Sequence, residues 1–145
     1  MTRLVDEADA LDWAAVGLGV EGGLFQIHVL RGALGCAELG VSIVRLAPHT
    51  KVTTGHAHPA GEEVYVLVAG RAELKAGDEI VPLEPLGAVR LPGPTLRAFR
   101  NPGDEEAVIV AASYPQDDPA ATTFVEGFWP AEAGETAVAP RLTRD

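Results

Sequence analysis

Between residues 20 and 115 the chain alternates short apolar runs with turn-forming residues. No stretch there sustains the i, i+3, i+4, i+7 apolar spacing of an amphipathic helix. Runs of this length predict strands. They cover Leu24–Leu30, Val41–Ala47, Val52–His58, Glu63–Ala69, Arg71–Lys75, Glu79–Leu83, Val89–Leu91, Leu96–Arg100 and Ala107–Ser113. Glu63–Ala69 is the strongest, with Val64, Tyr65, Val66, Leu67 and Val68 in one run. By parity Glu63, Tyr65 and Leu67 share one face, and Glu62, Val64, Val66 and Val68 the other. Ala76-Gly77-Asp78 and Asn101-Pro102-Gly103-Asp104 read as turns. Many short strands punctuated in this way predict an all-β sandwich or barrel.

The two ends differ from this middle. Asp6–Ala15 has room for a short helix. Residues 115–145 carry Pro115, Pro119, Pro130 and Pro140, which break any long element. They also carry Phe124, Phe128 and Trp129, large aromatics that need an apolar surface to cover. An ordered tail packed on the barrel, or on a second subunit, is expected.

Composition narrows the class. A chain of 145 residues argues for one domain over 1–145, with a barrel core at about residues 24–113. Eleven Lys+Arg against 21 Asp+Glu give a net charge of −10, which argues against a nucleic-acid or anionic-membrane partner. The single Cys36 excludes an internal disulfide and any CxxC site. No apolar run approaches a membrane span, and the N-terminal residues lack a secretion-signal pattern. A soluble, cytoplasmic protein is the expectation.

The chemistry gathers in Gly55–Gly70. His56 and His58 are two apart, so on a strand their imidazoles share a face. Pro59-Ala60-Gly61 reads as a turn into the next strand, which opens with Glu62 and Glu63. If the two strands pair, a carboxylate returns toward the imidazoles, and only one of the two acids can face them. Two His and a carboxylate on one face can hold a divalent metal with positions open for water or substrate.

These residues resemble the first motif of the cupin superfamily. His56, His58, Glu63 and Gly70 match it, while Thr50 stands where its opening Gly belongs. The second motif is degenerate: Pro92 and Asn101 match, but Leu86 and Pro94 replace its glycines and Arg97 its His. The resemblance spans about residues 40–113. It implies a double-stranded β-helix, a small jelly-roll barrel with the site inside its mouth. It also implies metal ligation by His56, His58 and Glu63, and a homodimer, which the apolar outward face of Val64, Val66 and Val68 suits.

Arg97 departs from that pattern in a physically specific way. A guanidinium has no lone pair for a metal. It opposes a cation and favours a carboxylate or phosphate. The missing ligand is then a water, or His28 or His49. His28 shares a strand face with Gln26, a polar pair expected to face the pocket, whereas His49 reads as a turn residue. Tyr65, on the Glu63 face, and Phe99, on the Arg97 face, are expected as pocket wall.

Three classes of function stay open. One is a metal-dependent oxygenase or isomerase/lyase-type cupin acting on a small anionic substrate. The metal would be Fe, Mn, Ni, Co, Zn or Cu, among which His/carboxylate ligation does not choose. Another is a metal-free epimerase, isomerase or dehydratase with His56, His58 or Glu63 as general base. The third is a non-catalytic small-molecule binding protein.

Overall fold

The computed structural model describes residues 18–19, 23–114, 121–139 and 141–142. The helix expected over Asp6–Ala15 lies outside them. In chain order the elements are β1 (Leu18–Gly19), β2 (Phe25–Val29), α1 (Arg31–Leu34), β3 (Gly40–Leu46), β4 (Thr50–Val52) and β5 (Gly55–Ala57). Next come β6 (Glu62–Ala69), β7 (Ala72–Ala76), β8 (Glu79–Leu83), β9 (Ala88–Pro92) and β10 (Arg97–Arg100). The rest are β11 (Ala107–Ser113), β12 (Thr123–Val125), β13 (Thr136–Val138) and β14 (Arg141–Leu142). The protein is all-β, a double-stranded β-helix.

One sheet runs β2-β3-β11-β6-β9. A second runs β12-β5-β10-β4-β13, with β7 also on β10 and β8 on β7. β1 and β14 form a separate ribbon. The core lies between the two large sheets. Ile109 pairs with Val44 on one side and Leu67 on the other, and all three are buried. From the second sheet Leu74 and its partner Phe99 meet this layer. The Tyr65 and Phe99 rings join the sheets edge to face, 4.7 Å between centroids, a favoured aromatic geometry.

Two departures from the predicted strands have physical causes. Val52–His58 is not one strand but β4 and β5, both on the same edge of β10. Lys51 partners Arg100 and His56 partners Arg97, so extra residues bulge out at Thr53–Thr54. The freed backbone groups go to the tail: Thr53 N–H donates to Val138 O at 2.8 Å, and Trp129 N–H donates to Thr53 O at 3.2 Å. The one-turn α1, closed by Gly35 at φ 71°, interrupts the middle region, where no helix was expected. Four residues are too few to show a helical period.

Residues 121–139 of the tail strap the second sheet. β12 pairs with β5, and β13 runs parallel to β4. Trp129 is buried. Lys51, itself 1% exposed, donates to Pro130 O at 3.0 Å, bridges Glu135 at 2.7 Å and lies 4.8 Å from the Trp129 ring centre. Lys75 does the same beside it, donating to Phe128 O at 2.9 Å over the Phe128 ring.

Candidate metal centre

The site is assembled by three short pieces of backbone. β5 carries His56 directly opposite Arg97 of β10. Phe99, two residues beyond Arg97, is core, so Arg97 and His56 both face inward. His58 follows on the same face. The Pro59–Gly61 turn is fixed to the segment after β9: His58 N–H donates to Gly93 O at 2.9 Å, and Gly93 N–H to Gly61 O at 2.7 Å. A side chain at position 93 would run into the Ala60 carbonyl, so glycine is required there. β6 then opens with Glu63 inward, in register with Leu91, while outward Glu62 pairs with Arg90 at 3.0 Å. That answers which of the two acids faces the imidazoles.

Donor atoms of His56, His58 and Glu63 lie within 4.8 Å of one another, close enough to share one ion. The two imidazole rings stand 5.4 Å apart at 68°. Burial, Arg97 and then His58 push His56 down to about 3, and burial with Arg97 also lowers His58. Both rings are therefore neutral near pH 7, the form with a lone pair to give. Burial raises Glu63 to about 7, against the opposing pull of Arg97. The Tyr65 hydroxyl donates to Glu63 Oε1. Thr122, just before β12, lies 3.3 Å from His58 Nδ1 through its hydroxyl. Sequence reasoning missed Thr122, because nothing local marks a contact made across 64 residues.

Arg97 is fully buried. Its Nη2 donates to Pro92 O at 2.7 Å. Burial lowers its pKa and Glu63 opposes that, yet a guanidinium remains charged at neutral pH. The donor set therefore fits a divalent ion with three protein ligands, and a fixed cation stands cross-strand from one of them.

Two expected participants are elsewhere. His28 does not face the pocket. It pairs with Ile43, whereas its neighbours Phe25 and Ile27 pair with the inward Leu46 and Val44. The apolar residues claim the core side, and alternation turns Gln26 and His28 to the other. His49 is exposed at φ 54° and bonds Asp104 at 2.7 Å, apart from the three donors. Asn101, matched by the second motif, is structural. It is fully buried, and its amide donates to Leu46 O at 3.0 Å and Glu105 O at 2.7 Å, closing the turn before β11.

A family model, the cupin domain, matches residues 42–113, the stretch that holds all three donors and Arg97. Residues 42–113 form a domain of the cupin superfamily. Solved cupin structures agree in fold. The chain is 23% identical to the cupin domain of an XRE family transcriptional regulator from Enterobacter cloacae, with TM-score 0.57 over 64% of this chain and 99% of that one. It is 18% identical to an uncharacterized conserved protein with a double-stranded β-helix domain from Klebsiella pneumoniae, with TM-score 0.61 over 81% and 97%. It is 22% identical to a sugar phosphate isomerase of the cupin superfamily from Silicibacter pomeroyi, with TM-score 0.60 over 80% and 91%. No curated protein matches the chain. Likeness at this level is of fold, and the cupin fold hosts unrelated functions.

Proposed function

We propose that this cupin binds a divalent transition metal through His56, His58 and Glu63 and acts on a small anionic organic substrate. The observation that carries the reading is the convergence of the three donor atoms within 4.8 Å, on backbone that the Gly93 hydrogen bonds hold in place. A metal there supplies Lewis acidity or oxygen activation. The chain's own groups do the rest. The Tyr65 hydroxyl holds Glu63 Oε1. Arg97 orients the anion, and Tyr65 and Phe99 wall the site.

One observation favours a second reading. Glu63, raised to about 7, is matched to general acid–base work at neutral pH. Beside Arg97 it would serve a metal-free isomerase or lyase.

Metal analysis by inductively coupled plasma mass spectrometry separates the two. Native protein, purified without a metal-binding tag, is expected to carry near-stoichiometric metal, and His56→Ala to lose it. Absence of metal from native protein even after reloading, with gain in Arg97→His, sinks the first reading and leaves the second.

We also propose a cytoplasmic homodimer. The outward face of β6 offers an apolar surface to a second copy, with Val68 exposed.

A further inference from the structure

The fold treats its two arginines on β10 oppositely. Arg100 turns outward and is matched by Glu73 at 2.5 Å and Glu135 at 3.2 Å. Arg97 turns inward and is fully buried, with one neutral acceptor, the Pro92 carbonyl. Its Nε and Nη1 are buried without a protein acceptor. No carboxylate of the described residues forms an ion pair with it. The inward carboxylate, Glu63, has Oε1 engaged by Tyr65 instead.

A desolvated charge with no carboxylate in direct contact is unfavourable, and the charge of nearby Glu63 offsets it only in part. This one also stands beside the donors, because Arg97 and His56 are direct cross-strand partners, about 4.5–5.5 Å apart at Cβ. A fixed positive charge at that distance opposes a divalent cation. Cation and guanidinium are compatible when negative charge arrives with the cation. Glu63 supplies one such charge; the unpaired Nε and Nη1 of Arg97 are donors for another.

We propose that the site takes its metal together with a small monocarboxylate seated on Arg97, each raising the other's affinity. This rests on the metal reading above and names its anion. One guanidinium with Nη2 already committed suits a single negative charge. The lysines nearest in the sheet, Lys51 and Lys75, are occupied by the strap carbonyls on the outer face. A phosphate dianion would therefore find no second protein cation beside Arg97. Linkage makes the effect reciprocal.

The test titrates nickel(II) calorimetrically into metal-free protein, in perchlorate buffer and again with acetate, after subtracting acetate's own complexation of nickel. Acetate is expected to tighten nickel binding about tenfold or more, and nickel to tighten acetate binding by the same factor. Inorganic phosphate should give a smaller increment. In Arg97→Gln the acetate increment should vanish, while nickel alone binds at least as tightly as in native protein. Nickel affinity that ignores acetate in native protein overturns the coupling and leaves the metal reading standing. An increment that survives in Arg97→Gln overturns Arg97 as the seat, and a larger phosphate increment overturns the monocarboxylate. No nickel binding in any condition overturns the metal reading and the coupling with it. The native-protein arm decides the coupling even if Arg97→Gln does not fold.

Discussion

His58 is held by a hydroxyl from the far end of the chain. Thr122 Oγ1 sits at its Nδ1, which leaves Nε2 as the nitrogen to offer a metal. Partners of this kind fix the tautomer and ring orientation of a ligating imidazole, and their loss typically costs about 10–100-fold in metal affinity. Thr122→Val is expected to weaken nickel binding by at least tenfold, and Thr122→Ser to restore it, both read by calorimetry. In the metal-free protein, nitrogen shifts of His58 by NMR should differ between native protein and Thr122→Val as the Nδ1 contact is lost. Equal affinity and unchanged shifts would remove Thr122 from the site.

At the scale of elements, the strap of residues 126–139 binds the second sheet through Trp129 and through Glu135. Trp129→Ala opens a cavity and exposes the Lys51 stem. A loss of about 3–5 kcal/mol is expected by denaturant unfolding, and a loss under 1 kcal/mol would show that the strap contributes little. For Glu135, burial raises the pKa, but hydrogen bonds from Lys51, the Glu132 backbone and Arg100, with the Lys51 charge, outweigh it and hold the carboxyl below 4.5. A depressed carboxyl contributes stability that is full above the unfolded value and lost as pH falls through the folded one. Native stability should therefore fall below about pH 4.5 more steeply than that of Glu135→Gln, measured as unfolding midpoint against pH.

The elements that sequence predicted well are the ones whose information is local. β8 and β11 fall on their expected residues, because each is a short apolar run between turns. His56, His58 and Glu63 were legible for the same reason, as one turn joins them. His28 was half legible. Alternation grouped it with Gln26, but only pairing with β3 decided which face was inward. The β4–β5 break was not legible, since the tail residues that satisfy its backbone lie far along the chain.

At the scale of the whole molecule, the outer side of the five-stranded sheet carries a row of half-buried apolar side chains. Val66 pairs with Val110, and Val110 with Ile43, across its outer side. Homodimerisation through that side predicts a dimer mass by analytical ultracentrifugation and a monomer for Val66→Glu. A native monomer at micromolar concentration would end the proposal. The tail has a different consequence, one of timing. Thr53 receives Trp129 and Val138, and His58 receives Thr122, only after more than 60 intervening residues have been made. Such closures are slow to form. On the ribosome, a chain extended only through β11 would hold its three donors near one another but lack the hydroxyl that aims His58. The centre would therefore mature last, as synthesis brings out the strap.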